Sequence, residues 1–140
     1  MILKSGFSTK YLEDVHGRRI KRGLEIGCSL DNHIRFKHGS MNVVLGHDNV
    51  GKTAWILWYF LCLSVKHEVR WCIWSGENKA EQLMRDLITM YKGKRVRDME
   101  KAEIYRAQQD IEQWFDFISN DKMYKHEELL KLFIESKRSI

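Results

Sequence analysis

Met41-Asn42-Val43-Val44-Leu45-Gly46-His47-Asp48-Asn49-Val50-Gly51-Lys52-Thr53 decides how the rest of the chain is read. Met41 to Leu45 is a short apolar, β-branched run ended by glycine, the pattern of a buried strand. Gly46 to Thr53 then satisfies the order glycine, any four residues, Gly-Lys-Ser/Thr, known as Walker A. From average residue usage, a chance match somewhere in a chain of this length has a probability of about 0.5%. The loop is therefore read as a phosphate site and not as an ordinary turn. Thr53 to Lys66 follows, apolar almost all round, as in a helix buried on most of its circumference. Strand, glycine loop and helix in this order are what the phosphate-binding mechanism requires.

Each position has a physical role. Glycines let the backbone fold round phosphates without a Cβ clash, so that successive N–H groups point inward and the helix N-terminus adds its positive end. The expected nucleotide site is Gly46, His47, Asp48, Asn49, Val50, Gly51, Lys52 and Thr53, with ATP as its ligand. Lys52 supplies a point charge to the β and γ phosphates, and the Thr53 hydroxyl is the expected protein ligand of Mg²⁺.

Outward from the loop, Val69 to Trp74 is a second strand candidate and Lys79 to Tyr91 a helix with Leu83, Leu87 and Ile88 on one face, stopped by Gly93. Gln82 and Arg85 read as its solvated face. Asp98 is the expected N-cap of a third helix reaching Trp114, with Asp110 on its polar face. Phe115 to Ile118 reads as a short strand, and Lys125 to Lys137 as a last helix with Leu129, Leu130, Phe133 and Ile134 inward. Strands alternating with helices predict an α/β fold with a mostly parallel sheet. Residues 1–22 read as a basic lead-in or linker with Arg18, Arg19, Lys21 and Arg22 clustered, and 23–140 as the domain proper.

The composition suits a globular domain: of 140 residues 44% are hydrophobic and 31% charged, and the net charge is +5. The longest apolar run, Ala54 to Val65, is shorter than the roughly 20 residues needed to cross a bilayer. With no signal-peptide pattern at the N-terminus, a cytoplasmic protein without membrane contact is expected. Cys28, Cys62 and Cys72 lack metal-type spacing, and the six histidines are scattered.

Glu77 lies just past the second strand, where α/β folds bind ligands. A resemblance gives it a role. From Gly23 onward the chain resembles the RecA-like motor core of DnaB-type replicative helicases, in particular the Twinkle-like primase-helicase branch of bacteriophages. The likeness rests on Gly23, Gly27, Leu30-Asp31 and Gly39; on Gly46 to Thr53, with Asp48 where the family has proline; on Ser75-Gly76-Glu77-Asn78, like the family's S-P-E-N; and on Tyr91-Lys92-Gly93-Lys94, like its Y-x-G-K. It implies a three-layer RecA-like P-loop NTPase fold, with Glu77 and Lys52 as catalytic residues of an ATP-driven helicase acting on single-stranded DNA. It also implies a homo-oligomeric, hexameric ring, in the host cytoplasm if phage-encoded.

Asp116 and Asp121 match the family's Walker B aspartate poorly, and its DNA loops and arginine finger have no counterpart here. The sequence is accordingly read as the N-terminal part of the motor domain, a fold incomplete on its C-terminal side, whose DNA contacts lie in segments beyond it. Two other readings stand beside this one. A RecA- or RadA-like recombinase shares the strand, loop and glutamate, and a truncated nucleotide-binding or interaction module would bind without hydrolysis.

Overall fold

The computed structural model describes residues 2, 4–20 and 22–138, with side chains as far as residue 136; Lys21 of the basic cluster lies outside the described residues. By internal contacts the chain divides into two units, Met1–Asn42 and Val43–Ile140. Among the described residues the chain is a mixed α/β protein with five α-helices and one two-stranded parallel sheet.

In the first unit, helix α1 spans Thr9–His16 and buries none of its residues. Beyond it, Leu24 and Phe36 form an antiparallel bridge, closed by Leu24 N–H to Phe36 O at 2.7 Å and Phe36 N–H to Leu24 O at 3.0 Å. The turn between them is held by one carboxylate. Asp31 accepts the N–H groups of Ile26, Gly27 and Cys28 at 2.8, 2.7 and 3.0 Å. Desolvation pushes the Asp31 carboxyl up, but these three bonds and Arg35 outweigh it and hold the group below its ordinary value.

In the second unit the order is α2 Lys52–His67, β1 Trp71–Ile73, α3 Ala80–Lys92, α4 Lys101–Glu112, β2 Phe115–Phe117 and α5 His126–Arg138. The strands pair in parallel, Trp71 with Phe115, Cys72 with Asp116 and Ile73 with Phe117. The core joins Leu57 and Leu61 of α2 to Leu83, Leu87 and Ile88 of α3, to Met99, to Ala107 and Ile111 of α4, and to Phe115. The predicted apolar face of α3 is thus the face that is buried. Each such side chain contributes about 1.5–3 kcal/mol by leaving water.

Ser64, the one break in the apolar run of α2, is fully buried and joins the helix to the strand that follows. Its hydroxyl lies 3.0 Å from Phe60 O and 2.9 Å from Val69 O as donor, and accepts the Trp71 indole N–H at 2.8 Å. Phe60 stacks on Trp71 with 3.7 Å between ring centroids. A hydrophobic residue at 64 would remove this acceptor of the indole N–H.

The Tyr91-to-Lys94 block ends α3 and fixes what comes next. Gly93 takes the left-handed conformation at φ +68°, which a Cβ disfavours, and its N–H returns to Thr89 O. The Tyr91 hydroxyl donates to Asp110 at 3.1 Å, and Lys94 pairs with Glu103 at 2.7 Å. Burial and the Asp110 carboxylate push the Tyr91 phenol above its ordinary value.

Three local expectations are corrected. Met41 to Leu45 is no strand: it pairs with nothing among the described residues, and Met41 and Leu45 are 91% and 88% exposed. An apolar run becomes a strand only where a neighbour takes its backbone N–H and C=O groups, and among the described residues none does so here. Helix α4 starts later, with Glu100 and not Asp98 as its N-cap, because residues 96–98 form a separate 3₁₀ turn. In α5, Leu130 and Ile134 are exposed and only half-buried Leu129 and Phe133 match the expected inner face. Gln82 and Arg85 are exposed, as expected of the solvated face of α3, and the Gln82 side-chain oxygen also accepts the Lys79 N–H at the start of that helix. Among the described residues no helix is long and apolar enough to cross a membrane.

Candidate phosphate-binding site

Helix α2 begins at Lys52, and Gly51 before it takes the left-handed conformation at φ +88°. No side chain caps this end. The first helical bond runs from Trp55 N–H to Gly51 O at 2.9 Å, so the N–H groups of Lys52, Thr53 and Ala54 have no partner within the helix. Asn49 is also left-handed, at φ +57°, a conformation Asn tolerates because its short polar side chain bonds locally. Gly46, His47, Asp48, Asn49, Val50 and Gly51 are all exposed, as is Thr53.

Lys52 closes the loop. Its ammonium donates to Gly46 O at 2.9 Å and to His47 O at 2.6 Å, so the side chain turns back over the backbone that precedes it. The packing at Gly46 is close: a Cβ there would lie 3.1 Å from Val50 Cγ2 and 3.3 Å from Lys52 Cδ. The result is a ring of backbone with a cation across it and helix-end donors beside it. Such a ring can exchange its carbonyl partners for the oxygens of an anion.

Thr53 stands in the first turn of α2 next to Lys52. Its hydroxyl is the one side-chain oxygen of the Gly51–Lys52–Thr53 corner. Mg²⁺ suits that donor set, since the ion keeps most of its waters and draws further oxygens from phosphates.

Glu77 lies past the end of β1 in an exposed bend. Ser75 Oγ accepts the Asn78 N–H at 3.0 Å, and the Asn120 side-chain amide, from the segment after β2, donates to Asn78 O at 3.2 Å. The loops leaving the two parallel strands are thereby tied together at the strands' C-terminal ends, the edge where α/β proteins place ligands. Among the described residues no hydrogen bond or ion pair joins Glu77 to Gly46–Thr53. The two weaker acidic candidates are engaged locally, Asp116 by the Ser136 hydroxyl at 2.6 Å and Asp121 by the Ser119 hydroxyl. Burial, opposed by the Ser136 hydroxyl and aided by Asp116, pushes the Cys72 thiol up.

Comparison with family models, with curated proteins and with solved structures finds no match. Asn120 escapes sequence reading because its partner lies 42 positions away, and no local pattern marks it.

Proposed function

We propose that Gly46 to Thr53 binds the phosphates of ATP with Mg²⁺, and that the chain is the nucleotide-binding part of a RecA-like motor of the DnaB/Twinkle helicase type. The observation that carries this reading is the Lys52 ammonium, held across the loop by Gly46 O and His47 O at the uncapped start of α2. In this reading Lys52 meets the β and γ phosphates, the N–H groups at the helix start bind phosphate oxygens, and Thr53 holds the metal. Mg²⁺ offsets charge on the phosphates. Glu77, on its tethered loop, is the group that orients and deprotonates water, and single-stranded DNA and a ring of like subunits are the partners.

The test is titration with a fluorescent ATP analogue. Lys52→Ala should abolish binding in any form of the protein where the wild type binds, and unchanged affinity would remove the loop as a phosphate site. A second reading, a module that binds nucleotide without hydrolysing it, is favoured by the local partners of Asp116 and Asp121, which occupy both carboxylates away from the loop. Phosphate release with and without single-stranded DNA separates the two: the module gives background rates in both.

A further inference from the structure

Positive charge is unevenly divided along the chain. Residues 1–42 hold eight Lys or Arg against four Asp or Glu, while residues 43–140 hold sixteen against fifteen. Most of the net +5 therefore belongs to the first unit, which does not contain the phosphate loop. Three of its four carboxylates are already engaged: Asp14 with Arg19 at 2.9 Å, Glu25 with Arg35 at 3.4 Å, and Asp31 with its three N–H donors. Among the described residues no ion pair joins Arg18 or Arg22 to a carboxylate, and these two share a cavity.

That cavity, of about 730 Å³, is lined by Tyr11, Val15, Arg18, Ile20 and Arg22. Arg22 also borders a second hollow of about 360 Å³, beside His33 and Arg35. We propose that this concave face of the first unit is a binding site for single-stranded nucleic acid. The inference stands on this unit alone and does not depend on the phosphate loop.

The chemistry matches the ligand at three points. Guanidinium groups bind phosphate oxygens in paired hydrogen bonds, and Arg18 and Arg22 put two of them on one wall. Tyr11 is 63% exposed, and an exposed aromatic ring beside cations is the stacking platform that an unpaired base uses. Val15 and Ile20 give the base and sugar an apolar surface. The volume falls within the roughly 300–1,000 Å³ of sites that enclose small organic ligands, so a nucleotide can enter it. A stiff duplex presents its bases inward and offers nothing to stack on Tyr11. A lipid surface fits less well, because α1 has only eight residues and carries Glu13 and Asp14 among them, whereas interfacial helices set Lys and Arg against anionic headgroups.

The experiment is fluorescence anisotropy of a labelled oligothymidine with the whole chain across a salt series. Arg18→Gln with Arg22→Gln should weaken binding at least tenfold and lower the slope of log K against log salt by about 1.4, since each single-strand phosphate contact contributes about 0.7. Tyr11→Ala should weaken binding about fivefold or more with the slope unchanged. The Lys pair at 18 and 22 keeps charge and fold, and should restore the slope but not the full affinity. Four results overturn the proposal: wild-type affinity in the Gln pair; an equal loss from Lys101→Gln with Arg106→Gln on α4; loss of oligothymidine binding in Lys52→Ala, which would move the site to the phosphate loop; or binding to phosphatidylserine vesicles with none to oligothymidine.

Discussion

Two loops in this protein have the same plan, an apolar run, a polar turn and a helix, and they are built in opposite ways. Gly46 to Gly51 follows a run that pairs with no strand and enters α2 through a glycine with no side-chain cap. Ser75 to Lys79 follows the paired strand β1 and enters α3 with Gln82 on the N–H of Lys79, the residue before the helix, Ser75 bonded across its turn and Asn120 bonded from outside. The second loop is fixed by side chains. The first is held only by Lys52 on its own carbonyls, and its helix-end donors stay open. A loop whose polar groups are mutually satisfied is a structural joint, and one that leaves donors open retains the capacity to bind.

The comparison can be broken first on the helix that the second loop enters and on the run before the first. Leu87→Ala in the core should cost about 2–5 kcal/mol, whereas Leu45→Ser should cost no more than about 0.5 kcal/mol because its side chain already stands in water. Urea unfolding of both variants measures the pair, and a large loss at Leu45 would mean that the run is packed after all. On the loops themselves, Glu77→Gln should leave nucleotide binding intact and slow hydrolysis about 100-fold in a form of the protein that turns over, since an amide cannot take the proton of water. Single-turnover rates read this directly. A rate within twofold of wild type would make the second loop a joint and nothing more.

A smaller effect is expected where α2 meets β1. Ser64→Ala should cost about 0.5–1.5 kcal/mol, because the half-buried Trp71 N–H loses the hydroxyl that accepts it. Thermal melting and Trp fluorescence report it together. The smallest effect concerns Asp31 in the first unit. Its carboxyl lies below the ordinary value of 3.8 when folded, so the stabilisation is present above that pH and is lost as pH falls through the lower folded value. Circular dichroism against pH should show an acid-side loss that Asp31→Asn lacks, and identical profiles would show that the three N–H bonds carry no linkage.

What could be read from the sequence was whatever depends on neighbours within a turn or two of chain. The periodic face Leu83–Leu87–Ile88, the glycine stop at Gly93 and the helix after the phosphate loop all follow from local pattern, and all stand in the structure. Val69 to Trp74 and Met41 to Leu45 carried equal strand signals, yet only the first has a partner, Phe115–Phe117. Pairing is a property of two segments, and one segment's composition does not encode it. The same limit hid Asn120 and the Tyr91–Asp110 bond, each formed between residues far apart in the chain. For the loop, residue types gave the chemistry of Lys52 but not its posture, which depends on the backbone turn at Asn49 and Gly51.

That posture has a consequence for selectivity. An anion arriving at the loop does not meet a bare ammonium; it competes with two carbonyl oxygens that already hold Lys52. A monatomic ion such as chloride offers one atom in exchange for two oxygens and gains little. A polyphosphate brings enough oxygens to release Lys52 from Gly46 and His47 and to engage the open N–H groups of α2 in the same event. Under the proposed function, the loop would thus favour anions that present several oxygens at once over single-contact salt ions.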